Sequence, residues 1–205
     1  MLRAEPLPPE RAEDAVSVLC DAFRDYPVMR FILGPPGVDD ADHLRTLIGF
    51  FVQNRVLRRE PLLVVNDGDT AAAAAVMTPP GQRPAPPQLD ALRETVWRTV
   101  GPAARARYEH LGTVWQDFTI ATPHLHLNML GVRRSHAGRG LARILLDAVH
   151  ALSEADPGSA GVSLTTEDPG NVSLYRHFGY RVVGHRQAAP GVETWGFFRP
   201  DSRSG

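Results

Sequence analysis

This sequence predicts an α+β fold built on one mixed sheet, from three observations. Strand-like and helix-like segments alternate from Ala121 onward, which implies at least one parallel strand pairing. The last two strand-like runs follow each other directly, as an antiparallel pair does. The 205 residues, 43% hydrophobic and 22% charged, fit one compact domain over 1–205 with a helical insertion at about 83–121.

From Ala12 to Val56, apolar residues recur at helical spacing: Val16, Leu19, Cys20 and Phe23, then Leu44, Leu47, Ile48 and Phe51. Asp25-Tyr26-Pro27 and Gly34-Pro35-Pro36-Gly37 punctuate them as turns. Pro61 to Val65 and Thr70 to Met77 are expected to form a hairpin around Asn66-Asp67-Gly68-Asp69. Thr78 to Pro87 is proline-rich and expected to be loop, and Leu89 to His110 a helix interrupted at Gly101-Pro102. Strand Thr122 to Val132, helix Ala137 to Glu154, strand Ala160 to Thr166 and a short helix Asn171 to Phe178 follow. Tyr180 to His185 and Val192 to Phe198 close the sheet.

The single cysteine, Cys20, excludes an intramolecular disulfide framework and a cysteine-based zinc cluster. A net charge of -1 argues against a nucleic-acid partner. No apolar run reaches the roughly 18 residues of a membrane span, and Met1 to Glu10 lacks the pattern of an export signal, so a soluble, cytoplasmic protein is expected. Every basic side chain is arginine. Any phosphate must therefore be met by arginine, histidine or backbone amides.

The stretch from Leu130 to Ala142 joins a strand end, a polar turn, Gly138 and Gly140, and a helix with the apolar stripe Leu141, Ile144, Leu145, Ala148, Val149 and Leu152. Unpaired N–H groups and the helix dipole favour an anion at such a start, and glycines let it approach the amides. This makes a phosphate cradle. A P-loop is ruled out because the chain has no lysine. A dinucleotide fingerprint fits poorly, with Arg143 where glycine or alanine is expected and Thr165-Thr166 where an acid should stand.

In this context Ala137-Gly138-Arg139-Gly140-Leu141-Ala142 resembles the Gln/Arg-x-x-Gly-x-Gly/Ala signature of the GNAT superfamily of N-acetyltransferases, with Ala137 in place of Gln or Arg. Leu164 to Tyr180, with its Asn171-x-x-x-Tyr175 helix and Phe178-Gly179-Tyr180 ending, is similar to that family's second hallmark. The resemblance implies a GNAT-like, mostly antiparallel central sheet with a splayed parallel strand pair, flanked by helices. It implies acetyl-CoA as cosubstrate, CoA as product, and a small-molecule primary amine as acceptor. A homodimer is one open oligomeric state. The implied coenzyme-binding set is Leu130, Val132, Arg134, Ala137, Gly138, Arg139, Gly140, Leu141, Ala142, Asn171 and Tyr175.

Asn171 and Tyr175 share one helix face. In the family the Asn holds the pantetheine arm and the Tyr stands near the sulfur. A phenol of pKa about 10 stays protonated at neutral pH and can donate to a departing thiolate. Alone, Tyr175 reads as a half-buried aromatic packed on the sheet; with the cradle present, the acid role is favoured.

His124, His126 and Asn128 alternate with Leu125, Leu127 and Met129, and the alternation then slips at Leu130, which predicts a β-bulge near Asn128 to Leu130. His126 stands where relatives carry a base, and Glu167 is its rival. Two histidines two apart on a strand leave a third metal ligand unplaced, so no metal is expected. Trp97, Tyr108, Trp115 and Phe118 form either an acceptor wall or the core of the insertion. A non-catalytic coenzyme-binding module remains the alternative to an enzyme.

Overall fold

The computed structural model describes residues 2–35, 37, 39–81 and 83–202. The expected turn at 34–37 and loop at 78–87 include Pro36 and Gln82, which, like Met1, lie outside the described residues.

The chain forms a seven-stranded mixed sheet in the order β1-β2-β3-β4-β5-β7-β6, antiparallel except for one parallel pair, β4 and β5. The strands are β1 (Ala4–Pro6), β2 (Leu62–Asp67), β3 (Thr70–Thr78), β4 (Leu125–Val132), β5 (Gly161–Thr166), β6 (Arg181–Ala189) and β7 (Val192–Pro200). The hairpin β2–β3 turns at Gly68 and Asp69, with Asp67 opposite Thr70 and Gly68 at φ +61°. The sequence gives no sign of β1, because three residues are too few to show a period. It exists because β2 offers an open edge, on which Ala4 pairs with Val65 and Pro6 with Leu63.

One face of the sheet carries α1 (Ala12–Phe23), α2 (Pro27–Leu33), α3 (Asp40–Arg58), α4 (Pro87–Val100) and α5 (Pro102–Trp115), which share a single core containing Leu19, Leu47, Ile48, Trp97 and Leu111. The other face carries α6 (Leu141–Ala155), and α7 (Gly170–His177) packs Val172 and Tyr175 against the same core. The run Ala71 to Ala75 is fully buried along β3, where small side chains let helices on both faces approach closely. The helical segment expected over Leu89 to His110 forms α4 and α5, broken at Gly101 (φ +91°) with Pro102 opening α5. Among the described residues, no helix is long and apolar enough to cross a membrane.

Two expectations for α6 need correction. It starts at Leu141 rather than Ala137, because Arg134–His136 form a 3-10 turn and Gly138 and Gly140 take left-handed backbone at φ +75° and +78°. Its buried face is Leu141, Leu145, Leu146, Val149, His150 and Ser153, whereas Leu152 is 39% exposed. Burying two polar side chains works because each is bonded: His150 to the Tyr180 hydroxyl at 3.0 Å, and Ser153 to Asp201 at 2.9 Å.

Candidate active site

The parallel pair is joined at only two positions, Leu125 opposite Val162 and His126 opposite Ser163. From Leu127 onward β4 has no partner on that side among the described residues, and the strands part. On its other side, Val76 pairs with Met129 but Met77 with Leu127, so Asn128 is the extra residue of a bulge. The bulge switches faces: Leu125 and Leu127 join the α6 core, whereas Met129 joins the core under α1 to α3. This is why the alternation in the sequence slips.

A cavity of about 510 Å³ lies at this split. His126, Asn128, Leu130, Glu167, Asn171 and Tyr175 all line it, so the structure gathers side chains from the two strands and α7.

The Tyr175 ring packs against Tyr180 and Phe197, with centroids 5.6 Å from each. Packing on the sheet and facing the cavity are therefore the same placement. Burial, reinforced by the charges of Glu167 and Asp168, pushes its hydroxyl up to about 12, so it stays a proton donor at neutral pH. Asn171 donates its amide to Thr166 Oγ1 at 3.3 Å.

Glu167, at the end of β5, is 5% exposed. Its Oε1 accepts from Thr194 Oγ1 at 2.8 Å and from Trp115 Nε1 at 3.2 Å. Burial raises its carboxyl above the ordinary range, against the pull of these donors. Tyr26, just before α2, accepts the Glu167 backbone N–H at 2.9 Å and pairs with Thr166 Oγ1 at 2.7 Å. Burial and the Glu167 charge raise the Tyr26 phenol as well.

His126 pairs through Nδ1 with Ser163 Oγ at 2.8 Å. Burial, with smaller effects from His124 and Arg55, lowers it to about 4, so its ring is neutral near pH 7. At the bulge, Thr78 Oγ1 donates to Asn128 Oδ1 at 2.8 Å and receives Arg55 Nη1 at 2.7 Å. Arg55 is also paired with Glu60 at 2.6 Å. Arg55 and Thr194 were not visible as site residues in the sequence, because neither carries a local signal. Tyr26 falls in the Phe23 to Phe31 stretch that the resemblance assigns to the acceptor pocket, but its bonds to Thr166 and Glu167 were not legible there.

The cradle at 137–142 does not line the cavity; it lies beyond the end of β4, where α6 begins. No side chain caps that helix, and its first backbone acceptor is Gly140 O, which receives Ile144 N at 3.3 Å. The N–H groups of Leu141, Ala142 and Arg143 are thus left without backbone partners there. A Cβ at Gly138 or Gly140 would meet nothing within 4 Å, so the corner is open. An anionic pyrophosphate fits such a corner. The nearby arginines already have partners. Arg139 bonds Asp67 at 2.8 Å, and Arg134 bonds Asp25 at 2.6 Å and, through its backbone N–H, Asp21 at 2.8 Å. These pairs are exposed and individually weak, so they can exchange for phosphate. Val132 lies on the strand leading to this corner, packed at the edge of the α6 core.

The profile described as Acetyltransferase (GNAT) domain matches residues 102–196. That segment is thus similar to a GNAT acetyltransferase domain over slightly less than half of the chain. The match takes in α5, the split strands, the cradle and α7. The GNAT fold extends over the whole chain in solved structures. A Corynebacterium glutamicum protein described as histone acetyltransferase HPA2 and related acetyltransferase aligns at TM-score 0.69 and 18% identity, covering 98% of this chain and 97% of its own. A Drosophila melanogaster polyamine N-acetyltransferase that forms N-acetylagmatine aligns at TM-score 0.67 and 18% identity, covering 97% and 98%. The Escherichia coli ribosomal-protein-S18-alanine N-acetyltransferase aligns at TM-score 0.56 and 14% identity, covering 100% and 97%. No curated protein matches the chain by sequence.

Proposed function

We propose that this protein is an N-acetyltransferase that moves an acetyl group from acetyl-CoA to the primary amine of a small molecule, by direct attack in a ternary complex. The observation that carries this reading is the cavity at the β4–β5 split, lined by a protonated phenol and by a carboxyl that burial raises above its ordinary range. The domain family generally uses acetyl-CoA, and neighbours of the same fold include a polyamine N-acetyltransferase and an agmatine N-acetyltransferase.

The bound coenzyme supplies an activated acetyl thioester, whose C–S bond breaks as the amine's C–N bond forms. The amides at 141–143 hold the pyrophosphate, with Arg134 and Arg139 close by, and Asn171 and the open edge of β4 through Leu130 and Val132 hold the pantetheine. Glu167 takes the proton from the incoming ammonium, since a raised carboxyl is better matched to that task than an imidazole lowered to about 4. His126, neutral and fixed by Ser163, orients the attacking nitrogen. Tyr175 gives its proton to the departing sulfur.

Thiol release from acetyl-CoA with a panel of primary amines tests this directly. Turnover that collapses in Tyr175→Phe supports the enzyme. CoA binding with no turnover of any amine would favour a coenzyme-binding module instead.

A further inference from the structure

We propose that the acceptor is a monoamine with an aromatic or branched apolar body and no second positive charge. This rests on the transferase reading and follows from the charges and rings that line the acceptor side of the cavity.

Among the described residues lining the cavity, Glu167 is the one carboxylate. The one guanidinium is Arg55, and it is already answered by Glu60 at 2.6 Å, with the two side chains 11% and 1% exposed. His126 is held neutral at physiological pH by burial and by the positive charges beside it. That leaves one unmatched charge, the Glu167 carboxylate, and one ammonium neutralises it. A second ammonium would meet no counter-ion among the described lining residues.

The walls offer a second cation little else. Met29, Ile32, Phe51, Tyr108 and Phe118 line the cavity. Aromatic faces can hold a cation when they are open. Here they are taken up by one another: Phe51 stacks on Tyr108 with centroids 5.8 Å apart, Trp97 lies 5.2 Å from Tyr108, and Trp115 meets it edge-on at 6.1 Å. What remains is apolar or neutral polar wall, with Asn54, Gln116 and Thr119 among it, which accepts an apolar body and offers a second ammonium no opposite charge. The fold shared with the Drosophila polyamine enzyme therefore does not bring its acceptor with it.

The test compares 2-phenylethylamine with spermidine and agmatine as acceptors for the full chain with acetyl-CoA. The expected kcat/KM is at least about tenfold higher for 2-phenylethylamine, the size of one uncompensated charge. Equal or better turnover of spermidine or agmatine overturns the inference and leaves the transferase reading intact. Calorimetry of the same amines in the presence of CoA asks the question without chemistry. If no amine turns over, the transferase reading fails, yet binding of 2-phenylethylamine alone still supports the monoamine site and binding of spermidine as tightly still overturns it. Gln116→Glu supplies a further arm, because this exposed residue lines the cavity and the change is nearly isosteric. A second carboxylate there should raise the spermidine to 2-phenylethylamine ratio by about tenfold. Ile120→Glu is the companion variant, and an unchanged ratio in both counts against the inference.

Discussion

Trp115 Nε1 stands 3.2 Å from Glu167 Oε1, and this bond ties the end of α5 to the end of a central strand. It makes the protonation of Glu167 depend on α5. Trp115→Phe keeps most of the apolar volume but removes one of two side-chain donors to Oε1. The carboxyl should rise further, and the acid limb of kcat/KM should move to higher pH. A pH–rate profile checks this, and an unmoved acid limb would show that Glu167 is not the base.

Glu167→Gln should lower kcat by roughly 10²-fold while stabilising the protein. Burial sets the folded pKa of Glu167 above its unfolded value. Its favourable contribution is therefore fully present only below the unfolded pKa, about 4.3, and is lost as pH rises through the folded pKa. Above that, the fold carries a buried carboxylate, which the amide replaces without charge. Thermal melts at pH 8 should show a gain of about 2–4 °C per kcal/mol recovered, shrinking toward pH 4.

Tyr175→Phe should reduce kcat by roughly 10²-fold with little change in stability. Its ring contacts with Tyr180 and Phe197 survive the change, and among the described residues its hydroxyl bonds no protein atom. Because the phenol is pushed up to about 12, it should not produce the alkaline limb of the wild-type profile. Steady-state kinetics and a melt of the same sample separate the two effects.

Gly140→Ala should weaken CoA binding and cost about 1 kcal/mol of stability. The residue sits at φ +78°, where a Cβ is strained even though nothing stands within 4 Å of it. Calorimetric titration with CoA checks the first effect, and denaturant unfolding the second. Unchanged CoA affinity would place the pyrophosphate elsewhere.

Stability should fall from pH 6.5 toward pH 4. Burial depresses His126 and His150 to about 4, so both are neutral in the folded state and take up protons on unfolding below pH 6.5. Each contributes a slope of roughly 1.4 kcal/mol per pH unit within that window, and the contribution is lost as pH falls through the folded value. His150→Gln should flatten the slope in a pH series of melts, because it removes one titrating group while leaving a partner for the Tyr180 hydroxyl.

Much of the fold is legible in periods of two and 3.6 residues. The hairpin at Gly68, the break at Gly101-Pro102, the bulge at Asn128 and the amphipathic start of α6 all follow from residues close together in sequence. The glycines at 138 and 140 mark the cradle because left-handed backbone selects them locally. Other glycines become intelligible only in three dimensions. Gly184 and Gly196 are required because the Phe118 ring lies against both, closing the segment after α5 onto β6 and β7.

By itself, the sequence determined the order of the strands and helices after β1, the bulge and the glycine turn that opens α6, because each depends on neighbours within a few residues. Tertiary structure alone decided that Glu167 is buried against Trp115, Thr194 and Tyr26, that Arg55 is answered by Glu60, and that Tyr175 faces the cavity where β4 and β5 separate. Those outcomes turn on dehydration and on charge pairing between segments far apart in the chain, and no local pattern of residues encodes either.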